Sequence, residues 1–254
     1  MSKYLTPLND RVPFRQKTAF GAGHLVLNLL PGSLGIFMFF LLTAFGMDPF
    51  LAGLLGGLPR IFDAITDPIM GFISDNTKSK WGRRKQYVLL GAVIMGISFI
   101  IMWQLYKDNT VDYNFTYFLL WSLVFYVGLT IFSVPYVAMG YEMSNDFHER
   151  TNIMAVAQFI GQWAWVIAPW FWVVMYDNDW FGTTTETTRT LGIWVAIFCA
   201  LLAMVPALFI KSKSTTDDAR LTPLTLKTIK GSLKLILNNF IEAFKISAFR
   251  KLCS

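Results

Sequence analysis

Residues 58–85 read LPRIFDAITDPIMGFISDNTKSKWGRRK. An apolar, helix-length run carries Arg60, Asp63, Thr66, Asp67 and Asp75, then gives way to Lys78, Lys80, Arg83, Arg84 and Lys85. Arg60, Asp63 and Asp67 are spaced three and four apart, so on a helix they share one face, with Thr66 beside them. Ionisable groups are costly in hydrocarbon, so such a face is by default a place where something binds. Two carboxylates one turn apart repel unless something positive lies between them. Arg60, a shared proton or a bound metal cation each meets that condition. Carboxylate and hydroxyl oxygens suit a hard cation; the competing structural reading is an ion-paired knot that only fastens helices together. Pro59 and Pro68 bracket the face, and each removes a backbone hydrogen bond and can bend the helix.

Outside this stretch the chain is apolar. Of its 254 residues 54% are hydrophobic and 15% charged, against about a quarter charged in soluble domains. Apolar segments fall at roughly 19–45, 49–75, 86–106, 116–142, 151–176 and 187–211. Each can cross a hydrocarbon core of about 30 Å, and in lipid each must be a helix that satisfies its own backbone. The fold class is therefore an all-α, six-helix integral membrane bundle, and the short connections favour chain neighbours packing antiparallel.

Lys3, Arg11, Arg15 and Lys17 precede the first segment, five basic residues separate the second from the third, Arg150 separates the fourth from the fifth, and nine follow the sixth. Only Lys107 and Arg189 lie on the opposite side, with Arg60 inside the second segment. Nineteen against two places both termini in the cytoplasm, as expected of a multi-pass protein of the plasma membrane. The net charge of +6 is then a topology signal, and no nucleic-acid partner is needed to explain it; the partner it implies is the bilayer.

The organisation expected is a cytoplasmic N-terminus over 1–18, a transmembrane domain over 19–211 and a cytoplasmic linker over 212–254. Residues 1–18 lack the short apolar core and small-residue cleavage site of a secretory signal. In the linker, Leu226, Ile229, Leu233, Ile236 and Phe240 alternate with Lys227, Lys230 and Lys234, the spacing of an amphipathic helix lying on the inner membrane face and tethering two halves. Cys199 and Cys253 offer neither a disulfide framework nor metal-ligand spacing. No HExxH, GxSxG or Cys/His cluster occurs, so neither an enzyme nor a cofactor is expected.

Arg60, the run Asp63-Ala-Ile-Thr-Asp67-Pro68, Gly71 and Asp75, followed by Trp81-Gly82-Arg83-Arg84-Lys85, resemble the signature of the glycoside–pentoside–hexuronide:cation symporters of the major facilitator superfamily. The resemblance covers nearly the whole chain, including DFHER at 146–150. It implies twelve helices in two halves that rock about a midplane site. The six helices here correspond to the amino-terminal half, which points to a truncated chain whose six C-terminal helices belong to the full-length protein. The resemblance further implies a cation site of Asp63, Thr66 and Asp67, completed by Thr130 of LTIFSVPY (129–136). Asp63 and Asp67 would be the metal ligands for Na+, with H+ or Li+ as other coupling ions. Gly71, Asp75, Gly82, Arg83, Arg84 and Arg150 would gate the cytoplasmic side.

The sugar site departs from the family pattern. Where galactoside carriers have carboxylates and an arginine, this chain has Asn28 with His24 and Leu27 in helix one, Ser133 before Val134-Pro135 in helix four, and Gln158 in helix five. Asn28, Arg60, Ser133, Gln158 and Gln162 are the candidate substrate residues, and Trp163 and Trp165 can stack on a sugar ring. Trp is also common at membrane interfaces, small polar residues also bond neighbouring helices, and a lone His24 reads as structural. The resulting expectation is cation-coupled symport of a glycoside, pentoside or hexuronide. The alternatives are a non-sugar cargo such as a lysolipid or organic anion, or a membrane receptor that moves nothing.

Overall fold

A computed structural model describes residues 10–176 and 183–211, together with Pro7, Thr228, Gly231, Asn238 and Glu242 as isolated positions. Six helices cover it: α1 (Phe14–Phe45), α2 (Pro49–Asp75), α3 (Lys85–Met102), α4 (Val111–Glu142), α5 (Phe147–Tyr176) and α6 (Thr184–Phe209). The six expected spans are all present, and no strand occurs among the described residues. Apart from Thr228, Gly231 and Asn238, the amphipathic helix expected from about Pro223 lies outside the described residues.

Most helices begin several residues before the apolar run that announces them. Hydrogen bonding sets a helix start, and polar first turns can supply it. Thr110 accepts the Tyr113 amide ahead of α4, and Thr183 and Glu186 form a reciprocal capping box at α6. Asp48 caps α2, with Pro49 at its first position. At the other extreme α3 stops at Met102, before the expected 106, because Gln104 and Tyr106 are held by Arg189 from α6.

Five helices are long and apolar enough to cross a membrane on composition alone. The exception is α2, whose 27 residues carry Arg60, Asp63, Asp67 and Asp75. The expectation that chain neighbours pack together holds only for α3 and α4. Otherwise α1 packs on α5 and α6, α6 lies between α1 and α3, and α2 leans mainly on α4. The reason is that lipid tails are as apolar as leucine, so helices in membranes associate by close fit and not by order in the chain.

That fit is visible between α3 and α4. A Cβ built on Gly91 would lie 2.4 Å from the Phe132 amide nitrogen, and one on Gly128 would lie 2.7 Å from that of Met95. The two backbones therefore touch. At the far end of the bundle Trp103 sits between Phe37 of α1 and Phe118 of α4, with edge-on centroid distances of 4.8 and 5.1 Å. Nearer the basic end Phe20 stacks on Tyr136 at 4.5 Å, and the Tyr136 hydroxyl donates to the Phe20 carbonyl.

Replacing Gly91 by alanine forces α3 off α4 and is expected to lower stability by about 1–3 kcal/mol. Gly35→Ala, where a Cβ meets nothing within 4 Å, should leave stability unchanged or raise it through better helix propensity. Thermal unfolding in detergent checks both, and equal responses would contradict the packing described.

Candidate functional site

Asp63 and Asp67 lie one turn apart on α2, opposite Thr130, which α4 holds 3% exposed. The Thr130 hydroxyl lies 3.2 Å from Asp63 Oδ1 and 2.9 Å from Asp67 Oδ1, and 3.3 Å from the Thr66 hydroxyl. Thr66 also reaches back to the carbonyls of Phe62 and Asp63, both at 3.3 Å. All four expected cation residues are thus gathered at one point. A threonine hydroxyl has a single proton, so it cannot donate to both carboxylates at once. The pair is left rich in acceptors, and Arg60, one turn earlier, places its guanidinium by Asp63 and the Tyr126 hydroxyl of α4. Among the described residues no cluster of three His, Cys, Asp or Glu is assembled. Two carboxylates and two hydroxyls are hard oxygen donors, chemically matched to a proton or a hard cation and not to a soft transition metal.

The basic end carries a second polar cluster. Arg84, 7% exposed, bonds Asp75 Oδ1 at 2.5 Å and Glu142 Oε2 at 2.8 Å. Arg83 pairs with the other Glu142 oxygen and donates to the Asp75 carbonyl at 3.3 Å. Gly82 makes the turn that aims both arginines inward, at φ 96°, a backbone that favours glycine. Gly71 faces α4, where a Cβ would lie 3.7 Å from Val134, an ordinary contact. Arg150 does not enter this cluster, and its Nε is buried without a hydrogen-bond partner among the described residues.

Three participants were not singled out in the sequence. Glu142 closes the Asp75–Arg84 cluster from the end of α4. Lys17 and Glu149, side chains 10% and 8% exposed, pair at 2.9 Å, and Glu149 also accepts the Val12 amide at 2.8 Å. Ser144 donates to the Asp10 carbonyl at 2.9 Å, so the start of α1 is strapped to the α4–α5 turn. The available signal was a carboxylate at the edge of an apolar run facing basic residues far away in sequence, which shows no pairing until the chain is folded.

The candidate substrate residues do not form one cluster. Asn28 and Gln158 meet at the α1–α5 contact, where His24 Nε2 lies 2.8 Å from Gln158 Oε1 and Asn28 Nδ2 lies 2.9 Å from the His24 carbonyl. Gln162 is exposed on α5. Arg60 and half-buried Ser133 belong to the α2–α4 side. Trp163 and Trp165 are both more than half exposed, and Trp165 covers Gly32 of α1.

A family model described as MFS/sugar transport protein matches residues 19–240. The chain is 28% identical over 245 residues to an uncharacterized symporter, YnaJ, of Bacillus subtilis (strain 168), covering 93% of this chain and 49% of that one. It is 23% identical over 238 residues to an isoprimeverose transporter of Lactiplantibacillus pentosus, covering 91% and 48%. It is 28% identical over 152 residues to a sodium-dependent lysophosphatidylcholine symporter of Gallus gallus, covering 58% and 28%. The chain spans about half the length, or less, of these relatives.

Removing one member of the buried Lys17–Glu149 pair strands the other, so Lys17→Met or Glu149→Gln should each cost about 3–5 kcal/mol, and the joint change Lys17→Met/Glu149→Leu considerably less than their sum. Glu149→Gln should be the worse single change, because the Val12 amide loses a charged acceptor. A double-mutant cycle on thermal unfolding measures this, and strict additivity would show that the pair is not coupled.

Proposed function

The chain belongs to the MFS/sugar transport family, within the glycoside–pentoside–hexuronide:cation symporters of the major facilitator superfamily, and on that premise we propose that it supplies the cation-binding half of a secondary carrier for a sugar or glycoside. The observation that carries this reading is the convergence of Asp63, Asp67, Thr66 and Thr130 on one point between α2 and α4. A cation entering there accepts oxygens from both carboxylates and removes their mutual repulsion. It thereby draws α2 onto α4. Substrate binding that depends on this closed arrangement is coupled to the ion, and the coupling is reciprocal. Sodium is the first candidate ion, with a proton or lithium as alternatives on the same oxygens.

Asp75, Arg83, Arg84 and Glu142 act in this scheme as a closure at the basic end, tying the end of α2 to the end of α4. The excess of Lys and Arg at that end supports a cytoplasmic location for it and for both termini. Charge-assisted bonds near water can break and reform as the halves rock. A glycoside or pentoside cargo is supported by the relative named for isoprimeverose. A second reading, a lysolipid cargo, is supported by the relative named for lysophosphatidylcholine.

In sodium, compared with choline, the purified protein should unfold at higher temperature; an ion at 100 times its Kd adds about 2.7 kcal/mol. Asp63→Asn should lose that gain while folding normally in choline. In vesicles, cation-driven uptake by the complete carrier should be competed by glycosides and not by lysophosphatidylcholine. An undiminished sodium response in Asp63→Asn would remove the cation site from α2, and competition by the lysolipid alone would replace the sugar reading with the second one.

A further inference from the structure

We propose that the outward groove between α3 and α6 binds one phospholipid with a net negative headgroup, its phosphate held between Lys85 and Lys211 and one acyl chain lying along the helix crossing. The inference does not depend on the cargo or on the coupling ion.

The groove lies where the two helices touch. A Cβ on Gly96 would lie 2.8 Å from the Ala200 Cβ, so α3 and α6 meet there with little side chain to fill the angle between them. Beside that contact a cavity of about 220 Å³ runs between Val93, Ile97 and Ile100 of α3 and Ile197, Leu201 and Met204 of α6. Ile97 is 55% exposed and Leu201 63%, so the groove opens away from the core of the bundle. Its walls are aliphatic side chains, glycine, alanine and methionine. No side chain there can hydrogen-bond a sugar hydroxyl or a peptide. Both helices are long and apolar enough to cross a membrane, which sets hydrocarbon against the opening. An acyl chain fits such walls, held by close contact and not by a hydrophobic gain.

Charge marks the headgroup end. Eleven residues separate Gly96 from Lys85, and eleven separate Ala200 from Lys211. Eleven residues make about three helical turns, so Lys85 is on the face of α3 that carries Gly96, about 16 Å nearer the basic end. Lys211 follows the end of α6 at a matching separation. One leaflet of hydrocarbon is about 15 Å deep, so the crossing lies near the chain ends of a lipid whose phosphate is level with the lysines. Lys85 is half-buried and Lys211 exposed, and among the described residues neither has a carboxylate partner. The acids that end α2 and α4 are already engaged, Asp75 by Arg84 and Glu142 by Arg83 and Arg84. Long lysine stems can lie along apolar walls and hold their ammonium groups in the headgroup layer. Two ammonium groups there favour a net anionic headgroup, because a zwitterionic one brings a cation of its own.

Thermal unfolding of the complete carrier in detergent tests this, with titration by dioleoyl-phosphatidylglycerol, dioleoyl-phosphatidylcholine, dihexanoyl-phosphatidylglycerol or inorganic phosphate. The dioleoyl glycerol lipid should raise Tm saturably, with a half-saturating concentration about tenfold below that of the choline lipid. The dihexanoyl lipid, whose chains stop short of the crossing, and phosphate should leave Tm unmoved. Lys85→Gln and Lys211→Gln should each raise the half-saturating concentration about fivefold. Arg15→Gln, which removes a cation of α1 lying 5.3 Å over the Phe209 ring at the same end, should not. Ile97→Trp, which fills the groove from its open side, should weaken the response to the dioleoyl lipid while the lipid-free Tm stays as in the wild type. An equal response to both dioleoyl lipids, a response to phosphate alone, or equal losses in Arg15→Gln and Lys85→Gln overturns the proposal. If Ile97→Trp instead turns a dimer into a monomer with the lipid response intact, a second copy occupies the groove and the proposal also falls.

Discussion

Charge in hydrocarbon must be met by the protein itself, and this one constraint seats α2 on α4. Lipid offers Asp63 and Asp67 neither water nor hydrogen bonds, so the helix that carries them must lie against groups that do. Thr130 of α4 provides such a group to both carboxylates, Arg60 lies between Asp63 and Tyr126 of α4, and α2 leans on α4 in preference to its chain neighbour α1. The satisfaction is incomplete, with one threonine proton between two carboxylates. The site is held together, with two carboxylates set against the one guanidinium of Arg60.

The other polar contacts divide the remaining work. The Lys17–Glu149 pair and its neighbours strap the start of α1 to the start of α5, while Arg83 and Arg84 strap the end of α2 to the end of α4. Both straps lie at the basic end. Between them the helices are joined by shape: glycines where α3 meets α4, and stacked aromatic rings where α1 meets α4. The α2–α4 straps can open against water, whereas the glycine contacts cannot separate without exposing shape-matched backbone. Motion is therefore expected between groups of helices and not within the α3–α4 pair.

The site shows how unevenly sequence reports on function. Asp63, Thr66 and Asp67 were legible because they share one helix, where spacing is geometry. Asp75 with Arg84 was legible for a related reason, since a short turn brings them back together. Glu142, Lys17 and Glu149 were not, because each pairs with a residue far away in the chain. His24 read as a lone histidine, since nothing in the chain announces that Gln158, 134 residues away, would stand opposite its ring. The candidate substrate residues separated into two groups for the same reason.

Residue order by itself determined the number of spans, their near boundaries, the face on which basic residues gather and the carboxylate face of α2. These depend on local periodicity and on the energy of moving each side chain between water and lipid, both additive along a chain. Only the tertiary structure decided which helices are neighbours, where the capped helices start, and which carboxylate meets which arginine. Among apolar helices in lipid no burial energy distinguishes one partner from another, so steric fit and a few buried hydrogen bonds make the choice, and those exist only once the helices have met.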